Sequence, residues 1–545
     1  MRHLKLHALG ATFAGLLVLP LAGTVEASEL RQPVPETHAL IEVRIITEPG
    51  QVIESGSVVI RDGVIVDVGS DIDIPPEARV HEFPREEGEA PITVYPGLVE
   101  PYLLVDIDED EEDETPPGRH ALINPDQRLR AAHWPDDRIT ELRQAGFTTV
   151  LMGPSKGLLR GHGLVANTGE GGLSANRLGS PFAQFASFDG RASGREFPNS
   201  LMGAVALMRQ TFADAAWQAQ ARAALARNPA QTRPEWLEGL DDLAPAISGS
   251  TPLVFESQDL LDTLRILEFI PEGDVDLVLV GHGAEYQRLA ALQGRDIRHI
   301  LPLDFPDAPD VRDEDDRDVS LEALRHWHAA PENPARLQEA GLPFLLTSHS
   351  LSSPGQLFER IARAVERGLD ADVALAALTT ESAQWLGLDD RAGRIQPGAM
   401  ANLLIVEGEL FQENPSINQV WVDGKQHVLA ALVPPEIDPA GTWSLTLGLG
   451  AMGDVDASLV LSGPVASMQG TLTVMGNETP LSDVRVSGDR VVASIDASRL
   501  GASGTVSIRL DVDGDRARGS GSGPFGDFSV RGRRTEGPDE QEESI

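Results

Sequence analysis

The sequence predicts a three-part protein. A large α/β unit with a parallel sheet forms the middle, a β-layer is assembled from both of its flanks, and an all-β unit follows. Three observations carry this prediction. Between residues 98 and 388, short aliphatic strands alternate with amphipathic helical stretches, the signature of βα units. Branched aliphatics alternate with polar residues at 38–94 and again at 393–425, so two distant segments suit one β-layer. From 441 to 534 nearly every stretch is a short alternating strand, with turns at Gly488-Asp489 and Asp513-Gly514, as in a small antiparallel barrel or sandwich.

In chain order, Arg2, His3 and Lys5 precede an apolar run at 8–22 and a small-x-small site at Val25-Glu26-Ala27. This pattern predicts a signal peptide over 1–27 and a periplasmic or secreted protein. The run is short for a membrane span, and no later stretch is long enough for one. The first β-segment is expected over 34–97, with a hairpin turn at Asp62-Gly63. Pro96-Gly97 then turns the chain into the first strand of the α/β unit. Within that unit 147–152, 253–255, 277–280, 300–303 and 344–346 read as strands. The stretches 257–270, 321–328, 354–367 and 372–386 read as helices. The consecutive acids of 106–114 suit a solvated loop better than a calcium site, which needs spaced ligands and a glycine turn. The β-layer resumes over 390–432, a proline-rich linker surrounds 434–439, the C-terminal unit covers 440–535, and 536–545 is an acidic tail.

The net charge of the 545-residue chain is −40 and its isoelectric point is about 4.6, so nucleic acid is a poor partner. There is no cysteine, which excludes disulfides and thiolate metal sites. A small-molecule substrate or ligand is the expected partner.

The junction Pro96-Gly97-Leu98-Val99-Glu100 resembles the entry to the barrel of the amidohydrolase superfamily of metal-dependent hydrolases. So do the flanking phrases through Gly63-Val64-Ile65, Gly69, Gly393, Ile395, Pro397-Gly398, Ala401 and Val422. The stretches 197–217, 326–348 and 375–388 are similar to its exported imidazolonepropionase-like branch. The resemblance implies a TIM-like (β/α)8 barrel over 98–389 with a composite β-sandwich from both flanks. It also implies hydrolysis of non-peptide carbon–nitrogen bonds, such as those of cyclic amides, with a metal-activated water.

The resemblance further says where metal ligands belong, and this chain departs from it. The two strand-one histidine positions hold Tyr102 and Leu104, and Phe255 stands near the strand-five position with Glu256 beside it. His282-Gly283 matches the strand-six phrase, and Ser348 or His349 replaces the strand-eight aspartate. His282 and His349 can ligate as they stand. With Glu256 they make a two-histidine, one-carboxylate set suited to one divalent metal, zinc or iron. Glu256 and His349 are the candidate catalytic pair, and Tyr102 and Glu285 the candidate substrate contacts. The alternative is a pseudoenzyme whose barrel mouth binds a small molecule or protein partner without turnover and holds no metal. Lys156 lies in the glycine-rich stretch 154–163, taken as a loop. His326 and His328 lie two apart on a helix and point different ways. Export is checked by N-terminal sequencing of protein recovered outside the cytoplasm. The mature chain should begin just after Ala27, and one still beginning at Met1 would refute the signal peptide.

Overall fold

A computed structural model describes residues 36–537, apart from 84–89, 108–117, 180, 190–196, 271–274, 310–318, 413–414, 430–436 and short stretches of the C-terminal sheet. The predicted signal peptide, most of the acidic run, the start of the linker and all but the first two residues of the acidic tail lie outside the described residues.

The chain opens with β1 (Thr37–Glu48), β2 (Gln51–Arg61), β3 (Val64–Gly69), β4 (Arg79–His81) and β5 (Ile92–Pro96). β1, β2 and β3 pair as an antiparallel meander, with Asp62-Gly63 at the second turn at positive φ. Gly97 separates β5 from β6 (Leu98–Val105), the first strand of the α/β unit. Then come α1 (Asp136–Gln144), β7 (Phe147–Pro154), β8 (Leu159–His162), β9 (Leu164–Asn167), α2 (Gly172–Asn176), β10 (Arg177–Gly179) and β11 (Gln184–Ser187). The next group is α3 (Leu201–Arg227), α4 (Leu240–Ile247), β12 (Leu253–Glu256), α5 (Leu260–Phe269), β13 (Leu277–Val280), α6 (Leu289–Leu292) and β14 (Arg298–Pro302). The unit ends with α7 (Leu321–Ala329), α8 (Asn333–Glu339), β15 (Phe344–Thr347), α9 (Gln356–Glu366), α10 (Ala371–Leu378) and α11 (Thr380–Trp385).

The β-layer then returns as β16 (Leu403–Glu407), β17 (Ser416–Val422) and β18 (Lys425–Val428). β16 pairs antiparallel with β5 from Leu403↔Pro96 to Glu407↔Ile92. Strands from both ends therefore share one eight-stranded sheet and one core, in which Leu40, Ile60 and Val94 meet Leu403, Ile405 and Trp421.

The α/β strands form two sheets, β10-β9-β7-β6 and β15-β14-β13-β12-β11-β8. β6 and β7 run parallel, as do β11 through β15. Inward side chains of both sheets, among them Val99, Val165, Phe185, Val254, Ile300 and Leu345, make one core cluster. β8 and β9 follow each other directly but belong to different sheets, so Gly163 spans one seam. The other seam lies between β15 and β6, where the Glu100 carboxylate crosses. Its Oε2 accepts from Ser348 N at 2.9 Å and Ser348 Oγ at 2.7 Å. Its Oε1 accepts from Tyr102 N at 3.1 Å and from the Thr347 hydroxyl.

The stretch 154–163, read from its glycines as a loop, is a loop at 155–158 with Lys156, while 159–162 is the strand β8. Its glycines serve close approach. A Cβ on Gly161 would sit 2.5 Å from the Gln127 carbonyl, and φ there is +114°. The helix expected over 372–386 is broken into α10 and α11 at Thr379, whose φ of −129° and ψ of −88° leave the helical region.

After the linker, strands from β19 (Gly441–Gly448) to β27 (Phe528–Glu536) form a nine-stranded antiparallel sheet with its own core around Trp443, Leu445, Leu459 and Ile495. Trp443 Nε1 donates to Pro439 O at 2.8 Å, and the Arg534 guanidinium stacks 4.7 Å above its ring.

Burial is the largest influence on Glu100 and raises its pKa, while the four donors pull the other way without cancelling it. Truncation by Glu100→Leu would leave at least two backbone N–H groups buried without acceptors. A loss of ~3–5 kcal/mol is expected in urea unfolding. A loss below ~1 kcal/mol would show that the seam holds without the carboxylate.

Candidate active site at the C-terminal ends of the strands

Side chains alternate faces along a strand. Past an irregularity in the β6 pairing between Glu100 and Leu103, Tyr102 and Leu104 share the face that joins the inner cluster, and Glu100 and Tyr102 are both fully buried. Glu256 ends β12, and His349 follows β15 by two residues. Parallel strands gather such C-terminal ends at one place, and Tyr102, Glu256 and His349 meet there. The Tyr102 ring lies parallel to Phe185, centroids 5.6 Å apart, and is T-shaped against the His349 ring at 4.9 Å and 86°. His349 Nε2 is 3.5 Å from Glu256 Oε1. The His349 backbone N–H donates to Thr347 Oγ1 at 3.0 Å, so the hydroxyl that binds Glu100 also sets where the imidazole begins.

The fourth member is Arg160, which the sequence reading passed over. It projects from β8, its side chain 6% exposed, and Nη1 lies 2.7 Å from Glu256 Oε2. The same Nη1 donates to Tyr102 Oη at 3.2 Å. A signal for it existed: an arginine between Leu158-Leu159 and Gly161 in a stretch of buried alternation must find a carboxylate. What the sequence could not give was the partner, 96 positions away.

The electrostatics follow from this closure. Burial alone would raise the pKa of Glu256, but the His349 hydrogen bond and the Arg160 charge outweigh it and hold it at about 2. Burial pushes the Tyr102 phenol well above its usual value, with the neighbouring Glu256 adding to that and Arg160 opposing it. Tyr102 is therefore a neutral hydroxyl, not a phenolate.

His282 stands apart from this group. Its Nδ1 is 3.4 Å from Glu285 Oε1, and among the described residues neither ring nitrogen has a hydrogen-bond partner. Glu285 is fully buried at the side chain and spends its carboxylate on the turn. Oε1 accepts from His282 N at 2.7 Å and Gly283 N at 3.2 Å, and Oε2 accepts from Asn333 Nδ2 at 2.6 Å. Gly281 has to be glycine here, because a Cβ would collide with Glu285 Oε1. The Gly-His-Gly phrase thus builds a carboxylate-filled turn.

The predicted ligand set His282, His349 and Glu256 is not assembled. His282 pairs with Glu285, while Glu256 is engaged by Arg160. Among the described residues no group of three or more histidine, aspartate or glutamate side chains could hold a metal ion. The donor set does not fit one: Leu104 and Phe255 offer no ligand atom, Tyr102 is protonated, and the one central carboxylate already faces a guanidinium.

Comparison with known proteins bears on fold more than on site. The profile of the Amidohydrolase family matches residues 352–428. That stretch runs from just before α9 to β18 and contains none of the five residues Tyr102, Arg160, Glu256, His282 and His349. Adenine deaminase 2 of Latilactobacillus sakei subsp. sakei (strain 23K) is 36% identical over 98 residues, 18% of this chain, which spans only 16% of that protein. The crystal structure of an amidohydrolase from Thermotoga maritima MSB8 superposes with a TM-score of 0.57 at 17% identity, over 71% of this chain and 98% of that one.

The Arg160–Glu256 pair gives an acid-side prediction. A carboxylate whose folded pKa is depressed contributes stability above its unfolded value near 4.5, and that contribution is lost as pH falls toward about 2. Glu256→Gln should flatten the pH dependence of stability across that window. It should also cost ~3–5 kcal/mol at neutral pH, since it strands a buried guanidinium. Chemical unfolding from pH 2 to 7 measures both, and an unchanged acid limb would contradict the pairing.

Proposed function

We propose that this chain, which resembles the amidohydrolase superfamily in its C-terminal profile match and its fold, hydrolyses a carbon–nitrogen bond other than a peptide bond in a small molecule. The reaction takes place at the mouth of a closed (β/α)8 barrel, outside the cytoplasm, and a cyclic amide is the substrate class. One observation carries this reading: the His349–Glu256 pair stands at the C-terminal strand ends, and His349 is 26% exposed at its side chain. Water attacks the carbonyl carbon while His349 takes its proton. The new C–O bond forms, the C–N bond breaks, and the imidazolium returns the proton to the leaving nitrogen. Glu256 orients His349 and stabilises it while it carries the charge. Tyr102 supports the ring by its T-shaped contact, and no step passes through a metal.

A second reading, small-molecule binding without turnover, is supported by the ion pair that occupies Glu256. One experiment separates the two. The purified full-length protein is offered cyclic amides, N-acyl amino acids and aminopurines in the presence of chelator. Released amine or ammonia is followed together with ligand-induced shifts in melting temperature. Hydrolysis that falls ~10²–10⁴-fold in His349→Ala is expected. Melting shifts with no turnover of any compound would replace hydrolysis by binding. Turnover that survives His349→Ala would remove the histidine from the mechanism.

A further inference from the structure

We propose that Arg160 is a built-in cation of the barrel mouth, standing where the superfamily resemblance would place a divalent metal, so that the mouth takes up no metal ion. The inference concerns how the site is held together and does not depend on which small molecule it receives.

The geometry carries it. By resemblance the metal lies among side chains from strand one and strand five. In this chain those positions hold Tyr102 on β6 and Phe255 on β12, with Glu256 beside the latter at the strand's end. A single nitrogen, Arg160 Nη1, reaches both strands, 3.2 Å from Tyr102 Oη and 2.7 Å from Glu256 Oε2. It therefore bridges the two walls as a shared metal would. Arginine keeps its charge at any ordinary pH, and its fixed planar fork suits a carboxylate and a hydroxyl together. All the other parts comply with a permanent cation. Arg160 is delivered by a strand rather than a loop, and Gly161 lets β8 press against the Gln127 backbone. Tyr102 can accept from the guanidinium while remaining protonated. Glu256 turns its second oxygen to His349 Nε2 at 3.5 Å. Arg160 is thus a positioning residue: it holds Glu256, and Glu256 holds the imidazole.

The test uses the full-length protein and reads metal content and melting, not turnover, so its outcome is independent of whether hydrolysis is found. In the first arm wild type and Glu256→Gln are incubated with zinc, manganese or ferrous ion, desalted, and assayed for bound metal by mass spectrometry. Equal metal in the two proteins is expected, any common amount being held on the acidic surface. One further equivalent in wild type, lost in Glu256→Gln, would overturn the proposal. In the second arm Arg160→Met, Arg160→Lys, Glu256→Gln and Arg160→Met/Glu256→Gln are melted. The double variant should melt above both single ones, because it leaves no buried charge alone, and Arg160→Lys should recover part of the loss in Arg160→Met. Strictly additive losses, with no rescue by lysine, would reduce Arg160 to a packing element and overturn the assignment. If Arg160→Met fails to fold, the first arm still decides, because it uses no change at Arg160.

Discussion

The Glu100 carboxylate is the constraint on which the barrel region and its mouth both depend. It is fully buried, and four donors from two strands converge on it: Tyr102 N from its own strand, and the Thr347 hydroxyl, Ser348 N and Ser348 Oγ from the far one. Burying a carboxylate is costly unless its lone pairs are filled, and here they are filled by groups that must themselves be satisfied. The bond set fixes β6 against β15 across a seam where no backbone ladder is formed between the two. It also fixes the mouth. Tyr102 stands two residues after Glu100, and His349 one residue after Ser348, so the carboxylate that joins the strands also brings the tyrosine and histidine rings into T-shaped contact.

A second buried charge, Arg160, is placed by a different logic. A guanidinium and a carboxylate removed from water stabilise each other only with good geometry, and removing either one leaves the other stranded. The pair therefore adds little to net stability compared with an apolar replacement, but it strongly specifies the arrangement. It also sets what else the mouth can accept. Near a protein surface two unit charges ~4 Å apart interact by about 4 kcal/mol, so a dication at that distance from a guanidinium meets roughly 8 kcal/mol of repulsion. Ligands from several strands would have to overcome that, and Leu104 and Phe255 supply none.

Much of the framework was legible because it depends on local pattern. The strand at 277–280 appears with the same bounds, and the Pro96-Gly97 junction lies between β5 and β6. Matching alternation at the two ends foretold strands that pair, since β5 and β16 each carry a row of residues suited to a shared core. Legibility failed where a residue's meaning lay in a distant neighbour. The glycines of 154–163 carry the local signal of a loop, which holds at 155–158, and only contact with the Gln127 carbonyl reveals why strand β8 needs Gly161. The helix expected at 372–386 has continuous periodicity, and nothing local to it foretold the break at Thr379. His282 shows the converse: the Gly-His-Gly phrase was legible, but what it holds is the Glu285 carboxylate three residues on.

The distribution of likeness along the chain sharpens this distinction. The family profile covers α9–α11 and β16–β18, the elements that pack behind the mouth and complete the shared sheet. A barrel-and-sheet frame makes demands on these elements that any chemistry would impose: strand β16 must pair with β5, and the last helices must cover β15. The mouth is freer, because any group of side chains with mutually satisfied charges can close it. Tyr102, Arg160, Glu256 and His349 are such a group, with one cation, one anion, a neutral hydroxyl and an imidazole. Function on a barrel resides in that choice and not in the frame. A likeness confined to the frame therefore leaves the chemistry to be decided by the four side chains that meet at the strand ends, and their arrangement centres on an ion pair between strands β8 and β12.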